Sequence, residues 1–194
     1  MQPPLRPFRS AAVAALLVLT LVAACGDPLG LPQAVIENRV DTLSLYALSG
    51  TPVASPSGYR LEFRQAVRTD QIPTFDFAFD IDTAGRAVLL PTGALRLGRM
   101  SGGQIASVPF DSIRIAPNSG YELDSALVVD IGTVAIVHSR PTSCTFGIAA
   151  VYYAKLRVLD LDLTAGPNGR RIEFEILVDT NCGYRGLEPG LPSR

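Results

Sequence analysis

The chain has no tryptophan, one histidine (His138), one lysine (Lys155) and two methionines in 194 residues. Without tryptophan, and with six tyrosines, it offers no obvious aromatic platform for sugars or stacked bases. With one histidine, a zinc site would need its other ligands from Cys, Asp or Glu, and Cys–His catalysis has one possible base. Basic and acidic residues nearly balance, 17 against 18, so the basic stripe that nucleic acid selects is missing. There is no G-x-S-x-G, no H-E-x-x-H, no phosphate-cradling glycine loop and no dinucleotide fingerprint. No cofactor is therefore expected from motifs. The longest apolar run, Ala11 to Ala24, is 14 residues broken by Thr20, short of the about 20 that a spanning helix needs. After that run no stretch keeps an i, i+3, i+4 pattern for three turns, so helix content should be small.

What is present begins with the same run. Arg6 and Arg9 precede it and no acidic residue comes before Asp27, the layout of a cleavable signal peptide. Val22-Ala23-Ala24-Cys25 resembles the lipobox of bacterial lipoproteins: a branched apolar residue, two small ones, then cysteine. The resemblance implies cleavage before Cys25, diacylglycerol on its sulfur and a further acyl chain, palmitate-like, on its new amine. Three chains hold a membrane far better than one. In enteric lipoproteins an aspartate directly after the cysteine retains the protein at the inner membrane; Gly26 stands there, so the implied address is the outer membrane. Removing residues 1–24 leaves 170, one domain's worth, with a net charge of −3 once Arg6 and Arg9 are gone.

With Cys25 assigned to lipid, Cys144 and Cys182 form an even pair in an oxidising compartment, and a disulfide is expected. The alternative is a Cys144 nucleophile with His138 as its base, for which no third group is evident.

The domain divides into a signal peptide (1–24), the lipidated cysteine and tether (25–37), an all-β domain (38–185) and a flexible tail (186–194). Gly26, Pro28, Gly30 and Pro32 keep the tether irregular. From Asp41 the period is two. Leu43, Leu45 and Ala47 share one face; Tyr59, Leu61 and Phe63 alternate with Arg60, Glu62 and Arg64. Phe75, Phe77, Phe79 and Ile81 oppose Asp76, Asp80 and Asp82, and a Thr83–Arg86 turn leads to a strand at 87–90. Weaker strands are expected at 94–100 and 105–115, around a flexible Ser101-Gly-Gly. Residues 126–130 and 133–139 read as strands buried on both faces. In 146–164 the apolar positions change parity near Arg157, which predicts a bulge there because a one-residue shift flips every side chain. Residues 155–164 and 170–179 form a hairpin about Pro167-Asn168. Bridging Cys144 to Cys182 then requires the chain between Cys144 and Tyr153 to bend back, or residues 146–152 to form a separate strand beside the hairpin, since bridged Cα atoms lie within about 7 Å; doubling back is the expectation. Strands near every tenth residue with Gly/Pro turns give an antiparallel β-sandwich or barrel-like domain.

Possible chemistry is thin. Asp76, Asp80 and Asp82, with Asp160 and Asp162, are oxygen ligands for calcium in principle. Alternate residues of a flat strand stand nearly 7 Å apart, so the carboxylates do not converge; a solvated face is expected and no metal. Glu173 and Glu175 are read as the polar side of a strand rather than a glycosidase pair. His138 shares parity with Val134 and Ile136 and is expected to be packed and hydrogen-bonded.

Phe75-Asp-Phe-Ala-Phe-Asp-Ile81, Val129-Asp-Ile-Gly-Thr-Val-Ala-Ile-Val-His-Ser-Arg140, Tyr153-Ala-Lys-Leu-Arg-Val158 and Ile172-Glu-Phe174 together resemble the HmuY-like lipoproteins over about residues 75–180. That resemblance implies an all-β domain on a lipid tether and haem held between His or Met ligands, for which His138 and Met100 are the residues present. The leading expectation is a non-catalytic envelope module, membrane-bound through its lipid, for an unknown envelope protein or small ligand. Haem capture and an envelope hydrolase are the alternatives.

Overall fold

The computed structural model describes residues 32–144, 147, 149–166 and 169–192. The leader and Cys25 lie outside the described residues, as does the Pro167-Asn168 turn. Two five-stranded antiparallel sheets make the domain. The first runs β1 (Val40–Tyr46), β12 (Arg171–Asp179), β11 (Tyr153–Asp162), β8 (Val134–His138), β6 (Gly102–Ile105). The second runs β3 (Gln65–Val67), β2 (Gly58–Arg60), β4 (Phe77–Ile81), β5 (Ala87–Pro91), β7 (Leu127–Val128). Beside them β9 (Thr142–Ser143) and β10 (Ala149–Ala150) form a small hairpin. One turn of 3₁₀ helix spans Phe110–Ser112. The expected all-β antiparallel class is what the chain adopts.

Alternation places Leu45, Tyr59, Phe77, Phe79, Leu89, Val137, Leu156 and Phe174 in the space between the sheets. The outer face of the first sheet is covered too. Val134, Ile136 and Leu177 pack there against Phe110, Ile113 and Leu187, which is why β8 is apolar on both faces. The register of β11 on β12 shifts between Val158 and Asp160. Leu159 is the extra residue, at the place where the apolar parity changes. Cys144 and Cys182 are bridged, with Cα atoms 5.9 Å apart. The β9–β10 hairpin is the doubling back that this bridge requires.

Several expectations need correction. Residues 94–100 are turns rather than a strand, and of 105–115 only Ile105 is in one. The strand instead takes up Gly102 and Gly103, read from the sequence as flexible. A Cβ on Gly102 would come within 2.5 Å of Leu123 Cδ2 and 2.7 Å of His138 Nε2. The glycines are there for close approach. Phe63 is 56% exposed, because Leu61–Arg64 turns the chain between β2 and β3 and ends the alternation.

The tail is corrected as well. Leu187 is fully buried, its N–H donates to the Arg114 carbonyl at 2.7 Å, and Asn38 and Gly190 exchange backbone bonds. The tether ends earlier than residue 37: Val35 and Ile36 N–H groups donate to Asn181 Oδ1, both at 3.0 Å. The packed domain therefore includes 34–37 and 186–192.

Candidate functional site

A cleft of about 160 Å³ opens between the Leu61–Arg64 turn, the start of β4 and the segment linking β8 to the disulfide hairpin. Its floor is Asp76, which the period-two pattern places on a solvated face but which is only 4% exposed. Asp76 Oδ2 accepts the Leu61 N–H at 2.8 Å. Oδ1 accepts the Arg140 N–H at 2.9 Å and its Nε at 3.4 Å. The Arg140 guanidinium also donates to the Thr74 carbonyl. Burial pushes the Asp76 carboxyl above the ordinary aspartate range, and these N–H groups with the Arg140 charge pull the other way.

The facing wall is Arg60, which pairs with Glu62 at 3.3 Å and lies over the Phe63 ring at 4.2 Å. That stacking gives the exposed Phe63 a role. Tyr152 lies alongside, its hydroxyl pKa raised by burial and then by Glu62. Ser139 locks the lining: it donates its N–H to the Tyr152 carbonyl at 2.9 Å, accepts the Tyr152 N–H at 2.8 Å and donates Oγ–H to the Arg140 carbonyl at 2.7 Å. Met100, Pro141 and Thr142 complete the rim.

Of the other sequence candidates, Met100 alone borders the cleft. His138 is packed edge-on against Tyr121, ring centroids 4.7 Å apart, with Nδ1 2.9 Å from the Ser139 carbonyl. Burial pushes its pKa below the ordinary histidine value, with that carbonyl and Asp76 opposing. Its Nε2 faces the Gly102 backbone and the cleft is far too small for a macrocycle, so the residues present do not fit haem. The Cys144 sulfur is held in the disulfide and cannot serve as a thiolate nucleophile. Asp80 accepts from Ser49 N–H and Oγ–H, Asp82 from the Ala84 and Arg86 N–H groups of its own turn, and Asp162 from Thr164. Asp160 faces Arg171 at 3.9 Å and Glu175 pairs with Arg157. Among the described residues no three His, Cys, Asp or Glu side chains are placed to hold a metal.

Two buried groups escaped the sequence reading. Lys155, the one lysine, is 2% exposed. Its Nζ donates to the Phe110 carbonyl at 2.9 Å and the Ile113 carbonyl at 3.0 Å, and it sits 4.5 Å from the Phe110 ring centroid. Burial pushes its pKa down. Asp179, fully buried, accepts the Asn181 N–H and Nδ2–H on Oδ1, both at 2.9 Å. Lys155 falls between the apolar Ala154 and Leu156, but Arg157, Asp160 and Asp162 share its strand, so nothing local marked it for burial. No family model matches the chain, and no curated protein matches it.

Proposed function

We propose that this chain is a lipid-anchored, non-catalytic binding module of the bacterial cell envelope, held at the outer membrane through Cys25. The anchor half of the reading rests on the leader and on Val22-Ala23-Ala24-Cys25. The binding half rests on one observation. The disulfide removes the thiol that, with His138, made the one plausible nucleophile–base pair, while a polar cleft with a preset ion-pair floor remains open. An envelope hydrolase has no comparable support. Haem capture keeps only the likeness of strand motifs, since His138 is packed under Tyr121.

Cys25→Ser should leave an uncleaved or mislocalised precursor and abolish metabolic palmitate labelling. Equal labelling of the variant refutes the anchor. Partners of either kind, envelope protein or small ligand, are read by mass spectrometry after capture of the anchored chain from its own envelope.

A further inference from the structure

We infer that the cleft between Arg60 and Arg140 is a binding site for a small monocarboxylate with a short aliphatic part, either a free acid or the C-terminal residue of a peptide. This rests on the reading of the chain as a binding module and names the ligand class of that same site.

The lining is rich in donors and poor in acceptors. A guanidinium carries five N–H groups. The Arg140 side chain commits Nε to Asp76 and Nη2 to the Thr74 carbonyl, and Arg60 commits Nη2 to Glu62. The hydroxyls of Tyr152 and Thr142, both on the lining, have no hydrogen-bond partner among the described residues. Asp76 accepts from three N–H groups and lies behind Arg140, so Glu62 is the carboxylate that meets solvent here. A ligand that satisfies this surface must bring acceptors, and a carboxylate matches the planar guanidinium fork. Asp76 and the Thr74 carbonyl already hold Arg140 in place, so little ordering is required on binding.

Charge and size narrow the class. With both carboxylates ionised the four charged groups sum to zero, so no net field offsets the larger desolvation cost of a dianion. That disfavours phosphate and sulfate. About 160 Å³ is below the roughly 300 Å³ at which ordinary ligand pockets begin, which excludes nucleotides and cofactors. Met100 and Pro141 on the rim offer apolar contact for a few methylenes. Affinity then comes from N–H geometry rather than from a net field, and falls in the millimolar class.

The test uses the full, disulfide-intact chain purified from its own envelope, with butyrate and N-acetylalanine as probes, N-acetylalanine amide as neutral control and inorganic phosphate as charge control. Binding and turnover are both followed by ligand-observed NMR, with thermal unfolding as a second readout. Saturable binding of butyrate, N-acetylalanine or both supports the site and distinguishes free acid from peptide end. Arg60→Gln leaves the Asp76–Arg140 floor intact and should weaken binding about tenfold, the loss of one charge-assisted contact; Tyr152→Phe should weaken it less. The assignment is overturned if neither acid saturates, if the amide or phosphate binds as well, or if folded Arg60→Gln binds unchanged. Failure of binding leaves the Cys25 anchor standing, whereas conversion of a probe to product overturns the non-catalytic reading while keeping the site.

Discussion

Asp179 and Asp76 are held above the ordinary aspartate value of 3.8 by burial, and a raised carboxylate acts on stability in a definite direction. Between its unfolded and folded pKa the native state binds more protons than the unfolded chain. Its contribution is therefore fully present below about 3.8 and is lost as pH rises through the folded value. His138, held below 6.5, acts oppositely, so the aspartate effect must be read as a difference between variant and parent. Asp179→Asn keeps the oxygen that accepts both Asn181 donors and removes the titration. Urea unfolding at several pH values from 7 to 4 should show the parent gaining stability relative to Asp179→Asn as pH falls. Parallel curves would show that Asp179 does not titrate in that range. Neither buried aspartate was legible in the sequence. Asp76 alternates with Phe75 and Phe77 as a solvated residue would, and only the distant Arg140 and Leu61 N–H groups make its burial tolerable. Lys155 is a parallel case, because the two carbonyls that receive it come from residues more than 40 positions away.

At the scale of elements, a good deal could be read ahead, because period and parity are local signals. The β11 bulge followed from the shift between Leu156, Val158 and Leu159, Leu161. The β9–β10 hairpin followed from the reach of a disulfide. What failed were the segments around β6, where glycine meant contact rather than freedom. Gly102→Ala should cost about 1–3 kcal/mol by overpacking, since the added Cβ meets Leu123, His138 and Tyr121 at 3.0 Å or less. Denaturant midpoints measure the loss, and an unchanged midpoint would mean that the Tyr121–Leu123 segment yields freely. The disulfide closes a loop with a separation of 38 residues. Replacing both cysteines by serine should cost about 4 kcal/mol by loss of loop closure. It should also weaken any cleft ligand, because Thr142 lies in the hairpin it pins and Tyr152 shortly after it. Equal midpoints for the parent with and without reductant would argue against that cost.

At the scale of the whole molecule, the two ends of the domain hold each other. Asn38 is 2% exposed and its Nδ2 donates to the Gly186 carbonyl at 2.8 Å and the Glu188 carbonyl at 3.2 Å. The Ala116 N–H donates to the Arg185 carbonyl at 2.8 Å, so the C-terminal segment lies between the N-terminal strap and the loop after the 3₁₀ turn. Two prolines and two glycines made residues 186–194 look frayed, yet each can also end a strand or fit a close crossing, and composition does not distinguish the two. The cover that Leu187 provides over Ile113, Ile136 and Leu177 is what the sequence did not announce. Leu187→Ala should cost about 2–5 kcal/mol, a large share of the roughly 5–15 kcal/mol that holds a domain together. Deleting residues 186–194 should cost more. It removes Leu187, leaves the Asn38 amide without its two carbonyls, and uncovers the apolar face beside the buried Lys155. Unfolding by urea and binding of a hydrophobic dye read these effects. A truncated chain with the parent's midpoint and no extra dye binding would show that the first sheet needs no cover on its outer face, against the burial of Val134, Ile136 and Leu177 there.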